Sequence, residues 1–92
     1  MIYKIVIKKR VEKFLSRCDK NIKESFLNKV LLFEKDPFTA IQKLDVTAIV
    51  GVKDHYRLRI WMYRFLFIIN KNEIVITFFD ADSRGWIYKQ LK

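Results

Sequence analysis

The stretch of residues 56–67 alternates like a β-hairpin, but arginines are set among its apolar side chains. The three arginines are Arg57, Arg59 and Arg64. A guanidinium group held among apolar strands needs an anionic partner. Few acidic residues lie nearby in the sequence. The pattern therefore favours an outside anion, and the phosphate backbone of a nucleic acid is the preferred interpretation.

Alternation also predicts which side chains share a face of this hairpin. In the strand at 56–60, Arg57 and Arg59 face away from Leu58, and the strand at 63–69 places Arg64 away from Phe65. If helices cover the apolar face, the arginine face stays at least partly open. We expect a patch that binds phosphate oxygens bidentately. A solvated strand face with scattered charges is the competing interpretation.

Composition predicts one folded domain over residues 1–92 with a strong positive charge. The chain is 51% hydrophobic, which is enough for a single modest core. Its 19 Lys and Arg against 10 Asp and Glu give a net charge of +9. Such a charge favours a nucleic acid, an anionic membrane surface or an acidic protein as partner. Cys18 is the single cysteine, which excludes an internal disulfide and is expected of a cytoplasmic protein.

The order of predicted elements indicates an α+β fold with helices on one face of a mostly antiparallel sheet. We predict an N-terminal strand at 2–7, two helices at 9–18 and 22–34, and a three-strand meander at 56–60, 63–69 and 74–79. Residues 38–44 form a short connector with room for one helical turn. Residues 45–54 form a loop or short strand, and residues 83–92 a short helix or tail.

A second group of basic and aromatic residues occupies positions 84–89. A tyrosine among cations, such as Tyr88, suits stacking on unpaired RNA bases. Docking of the tail onto the sheet is the alternative, and it is favoured for Trp86. The only histidine, His55, is expected to be solvated or locally hydrogen-bonded. Since no Cys/His cluster has zinc-like spacing, we predict no metal and no cofactor.

The motif order across nearly the whole chain resembles the RelE/ParE toxins of bacterial toxin–antitoxin modules. The matching residues are Lys43-Leu44, a loop with Gly51, Tyr56-Arg57-Leu58-Arg59-Ile60, Tyr63-Arg64, Arg84 and Tyr88. The resemblance implies a RelE-like fold. For the RelE-like branch it implies an endoribonuclease that cuts messenger RNA in the ribosomal A site. That reaction needs no metal, because the ribose 2′-hydroxyl attacks the adjacent phosphate.

The resemblance also implies partners and roles for particular residues. A cognate antitoxin, the ribosome and messenger RNA are the expected partners. Arg64, Arg84 and Tyr88 are the expected catalytic residues, and Arg57, Arg59, Lys43 and Lys89 are expected to contact RNA. Tyr88 is expected to serve either as general base or as stacking platform. It is the candidate base because arginine stays protonated and cannot be an ordinary base.

Two positions depart from the family pattern. Met62 replaces the glycine usual before the Tyr-Arg pair, and Asp82 lies where some active members have a basic residue. Two other functions therefore stay open. One is a ParE-like inhibitor that binds DNA gyrase, and the other is an RNA-binding module without catalysis.

Overall fold

The computed structural model describes residues 2–83, in which eight helices and strands follow one another. They are β1 (Lys4–Ile7), α1 (Lys9–Ser16), α2 (Lys20–Lys35), α3 (Pro37–Lys43), β2 (Val46–Ala48), β3 (His55–Ile60), β4 (Tyr63–Asn70) and β5 (Val75–Ser83). The α+β class is confirmed. The predicted C-terminal helix or tail lies mostly outside the described residues, and Ser83, the first residue of that prediction, ends β5.

The five strands form one mixed sheet in the order β1-β5-β4-β3-β2. The predicted meander is present, because β3 pairs antiparallel with β4 and β4 pairs antiparallel with β5. The predicted strand count was too low. The short β2 lies at one edge, antiparallel to β3, and β1 lies parallel to β5 at the other edge. Parallel pairing requires a long crossover connection, and the intervening helices provide it.

The ends of α1 and α2 differ slightly from their predicted ends, and a side-chain cap explains where α2 begins. The backbone N–H of Ile22 donates to Oδ1 of Asp19 at 3.1 Å, so α2 begins at Lys20, two residues before its predicted start. The first helix ends at Ser16, two residues earlier than predicted. Both differences are at helix ends, where the apolar spacing that predicts a helix carries little information.

The third helix, α3, corrects the predicted count of two. Asp36 accepts hydrogen bonds at Oδ1 from the backbone N–H groups of Phe38 and Thr39, at 3.1 and 3.2 Å. Pro37 occupies the first turn, where its missing N–H costs nothing. The same Asp36-Pro37 pair that ends α2 therefore also starts α3.

A cluster of phenylalanine rings joins the helices to one face of the sheet. Phe26 packs against Phe65 and Phe78 with ring centroids 4.7 and 5.2 Å apart, and Phe33 packs against Phe67 at 4.9 Å. All five rings are fully buried. Buried residues of α1, α2 and α3 belong to this same cluster. The side chains that alternate with these phenylalanines along β4 therefore lie on the opposite face.

The last described strand is longer than predicted and contains an irregularity. β5 runs to Ser83, and the β4–β5 register shifts between Leu66 and Phe67. Beyond the shift, Asp80 lies opposite Leu66 and Asp82 lies opposite Arg64. A bulge of this kind redirects side chains along a strand. Here it brings two carboxylates onto the strand segment beside the arginines.

Candidate functional site

The three arginines of the hairpin lie on the sheet face opposite the phenylalanine core. Arg57 and Arg59 alternate with Leu58, which is fully buried in the core, and Arg64 alternates with the equally buried Phe65. Arg59 lies directly opposite Arg64 in the β3–β4 ladder. The predicted division of the hairpin into an apolar and an arginine face is confirmed.

Arg59 has a carboxylate partner that is distant in sequence. Its Nε lies 3.0 Å from Oδ2 of Asp45, and its backbone N–H donates to the Asp45 carbonyl oxygen at 2.9 Å. Both side chains are about half exposed, so the ion pair contributes little stability, about 0–1 kcal/mol. The expectation that these arginines lack acidic neighbours was therefore wrong for Arg59. The pair is weak enough for a phosphate to compete for the guanidinium group.

Arg57 is positioned by the edge strand β2. Its Nη2 donates to Oγ1 of Thr47 at 3.2 Å, and the two residues are paired in the β2–β3 ladder. The Arg57 side chain is only partly exposed. β2 lies where the sequence predicted either a loop or a short strand. This strand therefore orients Arg57, a predicted RNA-binding residue.

Arg64 lies on β4, the middle strand of the sheet. Its strand neighbours are Arg59 on one side and Asp82 on the other. Its Nε and Nη1 atoms are buried. Asp82 is held in place because its Oδ1 accepts from the backbone N–H of Ser83 at 2.7 Å. The departure from the family pattern at Asp82 thus places a carboxylate next to the predicted catalytic arginine.

Basic residues in α1 and directly after it form a second group beside Asp82. Arg10, Lys13 and Arg17 line one surface depression together with Phe14 and Asp82. Nε of Arg10 lies 2.6 Å from Oδ1 of Asp80. No role was assigned to these three residues from the sequence. The signal that could have identified the group is the spacing of three cations at positions 10, 13 and 17, which puts them on one side of a helix. They place positive charge beside Asp82.

The turn of the hairpin closes the site at one end. It consists of Trp61 and Met62, which line a depression of about 220 Å³ with Arg59 and Arg64. Trp61 has a φ of 56°, in the left-handed region that a hairpin turn of two residues usually fills with glycine. For a residue with a side chain, this conformation costs about 1–2 kcal/mol. Met62, which replaces the glycine usual in the family, therefore follows a tryptophan with a strained backbone.

Trp61 is 68% exposed to solvent. Among the described residues, the Trp61 ring contacts the Tyr63 ring edge to face, with centroids 5.5 Å apart. The alternation that groups Arg57 with Arg59 also predicts Trp61 on the arginine face. The unusual feature that could have marked it is a large aromatic residue at a predicted turn position.

Of the other predicted site residues, the structure describes Lys43, which does not line the depression of Arg59 and Arg64. Lys43 is exposed at the end of α3, and it lines a separate depression with Leu32 and Lys35. Arg84, Tyr88 and Lys89 lie outside the described residues. β5 ends at Ser83 opposite Tyr63. The roles of all four residues stay predictions.

The remaining reactive side chains have local structural roles. Nδ1 of His55 lies 2.8 Å from the carbonyl oxygen of Lys53, as expected for a locally hydrogen-bonded histidine. Burial raises the pKa of the Cys18 thiol, which packs against the core. Among residues 2–83, no three His, Cys, Asp or Glu side chains are grouped to hold a metal ion. None of the helices in this range has the length and apolar character needed to span a membrane.

Solved structures similar to this one are complexes and free forms of RelE. A chain of the archaeal RelE–RelB complex from Pyrococcus horikoshii OT3 is 31% identical and superposes with a TM-score of 0.81, covering 94% of this chain and 99% of that one. A chain of the RelB–RelE antitoxin–toxin complex from Methanococcus jannaschii is 22% identical, with a TM-score of 0.77 and coverage of 95% and 99%.

A free mutant of the Escherichia coli toxin RelE shares the fold at 14% identity and a TM-score of 0.73, covering 97% of this chain and 90% of that one. No protein-family model and no curated protein sequence matches the chain. The identity to the Pyrococcus chain extends over nearly the full length of both molecules. This chain therefore belongs to the RelE-like toxin superfamily.

Proposed function

We propose that this chain is the toxin of a toxin–antitoxin module and cleaves messenger RNA in the ribosomal A site without a metal ion. The observation that carries the proposal is the cross-strand pairing of Arg59 with Arg64 on the sheet face opposite the core. Arg57 lies on the same face of β3. Guanidinium groups arranged in this way bind phosphate oxygens through several charge-assisted hydrogen bonds.

The proposed reaction is an intramolecular phosphoryl transfer that breaks the RNA strand. The ribose 2′-hydroxyl loses its proton as its oxygen bonds to the adjacent phosphorus. The bond from phosphorus to the 5′-oxygen of the next nucleotide breaks, that oxygen takes up a proton, and a 2′,3′-cyclic phosphate remains. Negative charge develops on the phosphate oxygens during attack. Arg64 stabilises that charge, and stabilisation of this kind is often the largest contribution to catalysis.

The remaining roles follow the family resemblance. Arg84 is the second phosphate clamp, and Tyr88 either accepts the proton of the 2′-hydroxyl or stacks on a base. Arg57 and Arg59 orient the RNA backbone. Lys43 and Lys89 add contacts to RNA away from the scissile phosphate, and the separate position of Lys43 on α3 agrees with such a peripheral contact.

The proposed partners are messenger RNA, the ribosome and a cognate antitoxin. The net charge of +9 attracts both RNA and an acidic protein segment. We propose that the antitoxin contributes such a segment, which folds over the arginine face and blocks access of RNA. RelB is the antitoxin bound to the toxin RelE in the complex from Methanococcus jannaschii.

Primer extension on a message translated in a purified system tests the proposed cleavage. Cuts at A-site codons are expected with the unaltered protein. With Arg64→Ala, the cleavage rate should fall by about 100-fold or more, because one preorganised charge donor is lost. Lys71→Ala is the matched control, since Lys71 is an exposed cation in the turn at the opposite end of β4. Intact message in the presence of folded protein would contradict the proposal.

Binding of DNA gyrase without RNA cleavage is the second candidate function. It is favoured by the two carboxylates beside the arginines, Asp45 and Asp82, since both would oppose a phosphate at this site. A DNA supercoiling assay with the same proteins separates the candidates. Inhibition of supercoiling together with intact message would favour this function.

A further inference from the structure

Trp61 combines two local features that a glycine at the same position would avoid. Its backbone lies in the left-handed region, and about two thirds of its side chain is exposed to solvent. Residues that break local rules in this way tend to occur at binding and catalytic sites. The hairpin could form its turn more easily with a small residue, so the packing of the turn does not explain the ring.

The surroundings of the ring indicate what it binds. Trp61 shares one depression with Arg59 and Arg64, the two arginines that pair across β3 and β4. The edge contact with Tyr63 holds the ring in place. A flat aromatic surface beside guanidinium groups matches one nucleotide of single-stranded RNA, with the base on the ring and the phosphate on the arginines.

We propose that Trp61 is a stacking platform for an unpaired RNA base at the hairpin turn, beside the phosphate site of Arg64. The proposal rests on the proposed function, because it names a residue that positions the same RNA. The positive charge of the depression favours RNA over an apolar protein segment as the occupant. Stacking does not depend on base identity, since every base has a π-face, so this contact holds the strand without selecting a codon.

The test measures binding of a short single-stranded RNA to the full chain by fluorescence anisotropy. Trp61→Gly removes the ring and also relieves the backbone conformation, so we expect Kd to rise about tenfold while Tm stays equal or increases. This combination separates a lost contact from a damaged fold. Trp61→Phe keeps a smaller ring and should lose less affinity. Phe38→Ala is the control, because it removes a partly exposed aromatic ring from α3, far from the hairpin turn.

A paired hairpin RNA of equal length gives the second comparison. Its bases are already stacked, so Trp61→Gly should leave its affinity nearly unchanged. If the stacked base belongs to ribosomal RNA, the variant instead loses affinity for vacant ribosomes in a sedimentation assay, which also supports a nucleotide platform. Unchanged affinity for both single-stranded RNA and ribosomes would overturn the proposal.

The outcomes separate this proposal from the proposed function. If the unaltered protein cleaves message and Trp61→Gly binds RNA equally well, the platform is overturned and the nuclease stands. If the unaltered protein neither binds nor cleaves RNA, both fail.

In a Trp86→Phe background Trp61 is the only tryptophan, and its fluorescence should be quenched on binding RNA.

Discussion

Arg64 lies opposite Asp82 in the β4–β5 ladder and opposite Arg59 in the β3–β4 ladder. The central arginine of the site therefore has one cross-strand neighbour of like charge and one of opposite charge. Opposite charges at such positions contribute about 0.2–1 kcal/mol, and like charges destabilise the pair. A phosphate placed at the site would be attracted by both arginines and repelled by the carboxylate.

Replacing Asp82 by asparagine should strengthen RNA binding. Asp82→Asn removes the negative charge beside Arg64 and keeps the Oδ1 atom that accepts from Ser83. We expect Kd for single-stranded RNA to fall about two- to fivefold, which corresponds to about 0.4–1 kcal/mol. Anisotropy titration at constant salt measures the change, and the rate of message cleavage should rise in the same direction.

Asp54→Asn is the matched control for this charge change. Asp54 precedes β3 at the end of the sheet away from the hairpin turn, and asparagine tolerates its positive φ of 61°. Both variants raise the net charge equally. A similar gain from Asp54→Asn would show that the overall charge, and not the neighbour of Arg64, controls RNA affinity.

Replacing Asp45 by asparagine should release Arg59 for RNA at little cost in stability. The half-exposed ion pair contributes at most about 1 kcal/mol, so the free energy of unfolding measured in urea should change by less than this. Affinity for single-stranded RNA should increase about two- to fivefold. In an Arg59→Ala background the same substitution should give no gain. A gain that persists there would mean that Asp45 acts on RNA independently of Arg59.

The cap of α3 should make stability depend on pH. The hydrogen bond from the Thr39 hydroxyl is the main cause that lowers the pKa of Asp36 below its ordinary value of 3.8, and the backbone N–H groups of Thr39 and Phe38 act in the same direction. The unfolded chain therefore binds this proton more readily than the folded chain does. The stabilisation is present above about pH 4 and is lost as the pH falls through the folded pKa.

Thermal unfolding of the unaltered protein and Asp36→Asn between pH 2 and 7 measures this effect. Asparagine caps a helix nearly as well as aspartate but does not titrate here. The unaltered protein should have the higher Tm at pH 6, since a negative charge also favours a helix N-terminus. The difference should shrink below about pH 4. A difference that is constant with pH would exclude the carboxylate charge as its cause.

The phenylalanine cluster should determine the stability of the fold. Phe26 is fully buried between Phe65 and Phe78, so Phe26→Ala should lower the free energy of unfolding by about 3–5 kcal/mol. Leu27→Ala is the control on the next position of α2, where the side chain is 56% exposed. Its effect should stay below about 1 kcal/mol. Equal effects in urea unfolding would contradict the assignment of the core to this face of α2.

The sequence by itself determined which face of the hairpin carries the arginines. Successive side chains of a strand point to opposite sides, so the spacing of Arg57 and Arg59 around Leu58 was sufficient. A helix repeats every 3.6 residues, so the spacing of Phe26, Val30 and Phe33 in the sequence also places them on one face of α2, the face that is buried. Both rules depend only on local backbone geometry.

Only the tertiary structure decided what lies beside each arginine. Asp45 reaches Arg59, Thr47 reaches Arg57, and Asp82 lies opposite Arg64 because of strand pairing and register. The irregularity in β5 sets that last register. Partners so far apart in sequence are selected by the packing of the whole sheet on its helices, because turn geometry fixes the register locally only where a short turn joins two strands. The same reason explains why the parallel pairing of β1 with β5 could not be predicted from the chain.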